Sequence, residues 1–188
     1  MHIPQHNNNN QAIVDRNHDL VPLCYFNIIK LKAGESYNYQ LADYETCIVP
    51  ATGSIDVQVQ NQTFKQVGKR QHIWERDPEG VYVPVNCEAT IDCISEDVEV
   101  FISGAKHNQT HKAFVIREDD IDTVQYGSDD TKTHRKIKHI LGKGPAGDVG
   151  KLLVSELFTV GAGGWSGFPP HKHETDRLPE ESRHNEVY

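Results

Sequence analysis

From Leu23 onward the chain alternates short apolar or half-apolar runs with turn chemistry: "LCYFNIIKLKAGESYNYQL", "YETCIVPATGSIDVQVQNQTF", "GVYVPVNCEATIDCI" and "DVEVFIS". In "SIDVQVQ", Ile55, Val57 and Val59 fall on one side and Asp56, Gln58 and Gln60 on the other, the period of a half-buried antiparallel strand. "CEATIDCI" repeats this with Ala89, Ile91 and Cys93. Gly34 and Gly53 stand where tight turns need positive φ, and Pro50 and Pro84 stand where strands end. Seven or more short strands with little helical periodicity predict an all-β sandwich or small barrel.

The pattern divides the chain. Residues 1–20 are polar, Asn-rich and aperiodic, and predict a flexible, loosely draped arm. Residues 21–106 form a first β unit, residues 107–148 a mixed, charged connector, and residues 149–188 the start of a second unit. "KLLVSELFTVGAGGWSGFPPHKH" has the strand, turn, strand rhythm that opens the first unit.

At 188 residues the chain can bury a real core. A net charge of −8 argues against nucleic acid or an anionic membrane surface as partner, because both select basic patches. The start lacks a basic segment followed by an apolar one, and no run is long enough to span a bilayer, so the expected location is the cytoplasm. Four cysteines without a C-x-x-C pair predict reduced, strand-packed thiols. The "NQT" at Asn61 and Asn108 matches the glycosylation acceptor, which carries meaning only in a secreted protein.

Candidate chemistry gathers at the C-terminus. In an extended "HKH" segment His171 and His173 share a face and could bind one ion, and Glu186 lies where an adjacent strand would return. Two imidazoles and a carboxylate suit zinc, manganese, iron or nickel with positions left open. Solvated loop histidines and an ordinary strand carboxylate fit the same letters. His107 and His111 predict a solvated loop, and "THRKIKHI" with His134 and His139 a charged, exposed strand. No nucleotide-binding or nucleophile-elbow pattern occurs.

From about residue 22 to the end the chain resembles the 5-deoxy-glucuronate isomerases of myo-inositol catabolism, bicupins related to 5-keto-4-deoxyuronate isomerases. The resemblance rests on "KAGES", "ETCIV", "VYVP" and above all "GGWSGFPPHKHETDRLPEES" with "NEVY". It implies tandem cupin β-barrels, the first without metal and the second incomplete in this chain. It also implies a divalent metal, zinc or manganese ahead of iron or nickel, held by His171, His173, Glu186 and a further His beyond Tyr188. The implied reaction is aldose–ketose isomerisation of 5-deoxy-D-glucuronate to 2-deoxy-5-keto-D-gluconate, with this chain expected to be an inactive fragment.

The catalytic residue stays unknown. Lys172 and Glu174 have outward parity in a regular strand, Glu180, Glu181 and Tyr188 are candidate bases, and Arg177 or Arg183 could meet a substrate carboxylate. The expected partners are a small sugar acid and further copies of the chain. Two rival readings fit the same residues, a non-catalytic sugar-acid-binding cupin and an Fe(II) cupin dioxygenase.

Overall fold

The computed structural model describes residues 2–142, 150–165, 173 and 175–188. Nine strands build the first unit: β1 (Cys24–Lys32), β2 (Ser36–Gln40), β3 (Tyr44–Thr52), β4 (Ile55–Val59), β5 (Gln62–Val67), β6 (Gly80–Val83), β7 (Glu88–Cys93), β8 (Asp97–Lys106) and β9 (Phe114–Ile116). They form two antiparallel sheets, ordered β1-β8-β3-β6-β9 and β2-β7-β4-β5. Three further strands, β10 (Asp122–Tyr126), β11 (Arg135–Leu141) and β12 (Val154–Thr159), make a third antiparallel sheet in that order. This sheet joins residues on both sides of position 149, the boundary expected between connector and second unit.

The alternation in β4 does what its period dictates. Ile55, Val57 and Val59 are buried between the two sheets of the first unit, together with Ile29, Ile48, Ile91, Val100 and Ile102, while Gln58 and Gln60 are exposed. At about 1.5–3 kcal/mol for each fully buried aliphatic side chain, this cluster supplies the main drive to fold the unit. Gly53 has φ +76°, and a Cβ there would collide with the Asp97 carbonyl, so only glycine fits that turn.

β3 does not alternate; it is buried from Tyr44 to Ala51. Its Ile48 faces the first core, while Cys47 and Val49 face a second core made with Tyr82, Ile116, Ile140, Leu141 and Leu152. A strand covered on both faces reads as a continuous apolar run, which is why "YETCIVPA" lacks the period of two. The five-stranded sheet is therefore a wall shared by the two cores. "THRKIKHI", predicted to be an exposed strand, instead forms the middle strand of the third sheet, with Ile140 and Leu141 buried against that wall.

Two polar contacts fasten the leading end of the second unit to the first. Glu45, fully buried on β3, accepts the Tyr82 hydroxyl at 2.7 Å and the backbone N–H groups of Lys151 and Leu152 at 2.5 and 2.9 Å. A Cβ on Gly150 (φ +67°) would collide with the Glu45 carboxylate, so the approach requires glycine. Arg70, 1 % exposed, donates through Nε to the Ala51 carbonyl at 3.1 Å and through both terminal nitrogens to Glu156 of β12.

The N-terminal arm lies along the free edge of β1. Val14 is buried and bridged to Phe26, and Asn8 donates to Asn27 Oδ1 and to the Ile28 carbonyl. Asn10 accepts from the Lys30 N–H at 2.8 Å and donates to the Lys30 carbonyl at 3.2 Å, so a side-chain amide takes the place of a neighbouring strand. Asn8 and Asn10 are thus edge partners, while Asn7 and Asn9 stay exposed.

Candidate metal centre

The C-terminal segment folds around one carboxylate. Glu181, 7 % exposed, accepts the backbone N–H groups of His173 at 2.8 Å and Thr175 at 3.3 Å, and also the Arg177 guanidinium. The Arg177 hydrogen bond first, then the Thr175 and His173 N–H groups, hold its carboxyl down at about 2. An ordinary glutamate is half protonated at 4.5, whereas Glu181 should still be ionised there. Its contribution to local order is therefore complete above pH 4.5 and is lost only as pH falls toward 2. A carboxyl carbon NMR titration checks this; a Glu181 midpoint near 4.5 would disprove the buttress.

With Glu181 holding the turn, His173 is placed and oriented. Its Nδ1–H donates to the Ser182 carbonyl at 3.0 Å, which in the neutral ring assigns the lone pair a metal needs to Nε2. His173 has φ +75°, so the segment is not a regular strand at that residue and the parity argument for Lys172 and Glu174 does not extend through it. His171, Lys172 and Glu174 lie outside the described residues.

Opposite His173 stands His184, whose N–H donates to the His173 carbonyl at 3.0 Å. The two imidazoles are parallel within 3° with centroids 4.4 Å apart. Glu186 approaches from two residues on, its Oε1 3.5 Å from His184 Nδ1, and Tyr188 donates its hydroxyl to Oε2 at 3.0 Å. One ligand atom each from His173, His184 and Glu186 lies within 4.8 Å of the others, the one such group of three among the described residues. The donor set fits a divalent metal: two imidazoles, one carboxylate and a fixed tautomer.

The sequence named His173 and Glu186 and passed over His184. The signal was present, since H-x-E in "RHNEVY" has the same two-residue spacing as H-x-H. Glu181, a candidate base, is committed to three donors, and Arg177 is committed to Glu181. Arg183 is exposed, with its backbone N–H tied to Asp176 at 2.8 Å.

The segment is docked on the first unit. The Cys24 thiol, at the start of β1, donates to the Asn185 carbonyl at 3.3 Å, and burial with help from Glu186 pushes that thiol up. All four cysteines are free. Elsewhere, His107 and His111 do not form the solvated loop expected of them. His107 is buried, and the nearly coplanar rings meet head to head, Nε2 to Nε2 at 3.1 Å with centroids 5.3 Å apart. That is a ring-to-ring N–H···N hydrogen bond, because two ligands of one ion would point at a common third position.

The sequence model of the KduI/IolB family matches residues 2–188. The chain belongs to the KduI/IolB family. Within it, the chain is similar to the 5-deoxy-glucuronate isomerase of Bacillus licheniformis, 35% identical over 166 residues, covering 87% of this chain and 59% of the relative. It is also similar to the 5-deoxy-glucuronate isomerase of Listeria innocua, 31% identical over 179 residues, covering 94% of this chain and 64% of the relative. Among solved structures it resembles an IolB-like protein from Salmonella typhimurium LT2, with TM-score 0.77 and 26% identity over 85% of this chain and 59% of that one.

The KduI/IolB chain thus spans about three fifths of the length of these relatives. Its fold is all-β and bicupin, with the second cupin incomplete in this chain. Among the described residues no helix is long and apolar enough to cross a membrane.

Proposed function

We propose that this chain carries the metal-holding part of an aldose–ketose isomerase that converts 5-deoxy-D-glucuronate to 2-deoxy-5-keto-D-gluconate in myo-inositol catabolism. The observation that carries this is the oriented pair His173 and Glu186, in a segment covered by the family model and in a chain similar to relatives named for that isomerase. His171, His173 and Glu186 would hold the ion, zinc or manganese ahead of iron or nickel. A bound divalent ion supplies Lewis-acid polarisation of the carbonyl and the adjacent hydroxyl.

The residues of the chain then divide the remaining work. Glu181 and Ser182 keep His173 in position and tautomer, and Tyr188 fixes one oxygen of Glu186. Arg183, exposed beside the ligands, is placed to attract a substrate carboxylate. Glu181 is too acidic and too occupied to take the C2 proton, and Tyr188, pushed up to about 12 by burial and by the hydroxyl bond it donates to Glu186, stays protonated, which leaves Glu180 as the candidate base of this segment. The location is cytoplasmic, and the assembled protein is a homo-oligomer.

Losing an outer partner of a metal site typically costs about 10–100-fold, and losing a direct ligand costs more, so the 188-residue chain should turn over slowly. Proton NMR in deuterated water detects such turnover as metal-dependent exchange at C2 of 5-deoxy-D-glucuronate. Exchange is expected to be weak for the chain alone and strong for the chain continued by the C-terminal residues of the Bacillus licheniformis relative. It should vanish in both with Glu186→Gln. A metal-loaded, folded hybrid that exchanges no faster than its chelated control would leave a sugar-acid-binding cupin as the better reading.

A further inference from the structure

We infer that His184 is itself a metal ligand, joining His173 and Glu186 at the centre for a borderline divalent cation. The inference rests on the metal-binding reading above and deepens it by adding a donor that the family resemblance does not supply.

Geometry is the first support. Two ligands on one tetrahedral ion at about 2.1 Å stand about 3.4 Å apart. His184 Nδ1 and Glu186 Oε1 are separated by 3.5 Å, long for a direct hydrogen bond and close to that ligand edge. The third donor lies within 4.8 Å, within reach of a common ion once the His184 ring turns.

The backbone is the second support. The backbone His184 N–H to His173 carbonyl bond sets the two residues across from each other. Their rings are now stacked, so the exposed His184 ring has to turn out of the stack for both nitrogens to aim at one ion. His184 and Glu186 are two apart, the separation that puts side chains of an extended segment on one side, and their contact shows that they share it. The third support is orientation: Ser182 fixes the His173 tautomer and Tyr188 fixes Glu186, so two of the three donors already have the outer partners that metal ligands carry. Two neutral imidazoles with one carboxylate favour zinc, cobalt or nickel over magnesium or calcium.

The test titrates the metal-free 188-residue chain with Co²⁺ alone, following visible absorption and equilibrium dialysis, for the parent and for His184→Asn, His184→Ala and His173→Ala. The parent is expected to take one Co²⁺ per chain. Both His184 variants should bind more weakly by at least about 10–100-fold and with an altered absorption envelope. His184 is exposed, so its variants should keep the parent's unfolding midpoint in the absence of metal. Parent-like Co²⁺ affinity and spectrum in the His184 variants, alongside loss in His173→Ala, would overturn the assignment and leave the metal reading standing. A parent chain that binds no Co²⁺ would overturn both.

Discussion

Glu45→Ala is expected to cost about 3 kcal/mol, because two buried donors and one half-buried donor lose their acceptor and each orphaned buried group costs about 1–3 kcal/mol. The Tyr82 hydroxyl and the N–H groups of Lys151 and Leu152 all end on this one carboxyl, and Glu45 is fully buried. Glu45→Gln separates the latch from mere volume. Its carbonyl oxygen can keep both N–H groups while its amide donates to the Tyr82 oxygen, which turns from donor to acceptor. Urea unfolding should therefore rank parent, Gln and Ala in descending order, with Gln much nearer the parent. Hydrogen exchange at Lys151 and Leu152 should accelerate in the alanine variant alone. Equal losses for Gln and Ala would show that Glu45 fills space rather than fastening the second unit.

The companion latch should show a different pattern. Arg70→Met strips the partner from Glu156, whose side chain is 18 % exposed, and removes a donor from the Ala51 carbonyl. Breaking one side of a buried ion pair costs about 3–5 kcal/mol, mostly the uncompensated charge left behind. Replacing both ends by apolar groups of similar volume is far cheaper, so Arg70→Met with Glu156→Leu should recover most of the loss. A double-mutant cycle read by urea unfolding gives the coupling directly. Additive losses would mean that Arg70 stabilises through Ala51 and its own packing, with no contribution from the pair.

Neither latch was visible along the chain, and the reason is separation. Glu45 reaches partners 106 and 107 residues away and Arg70 one 86 residues away, distances at which no periodicity carries information. Local patterns did better. The two-residue period of Ile55, Val57 and Val59 specified a half-buried strand, and Gly53 specified its turn. The continuous run in β3 told of burial on both faces but not of what lay on the second one. His173 and Glu186 were legible as candidate donors because ligand spacing is a local pattern, and the H-x-E of His184 and Glu186 carries the same two-residue spacing. Asn8 and Asn10 of the arm misled because polar, aperiodic composition describes solvent contact and backbone capping alike.

β3 faces a different core on each side, so every change in it is felt twice. A larger side chain at Cys47 presses on the second core, while one at Ile48 presses on the first, and the shared backbone carries each disturbance to the other. Tandem units joined in this way are poor modules. Neither half would keep its core when recombined with a foreign partner unless its side of the wall came too.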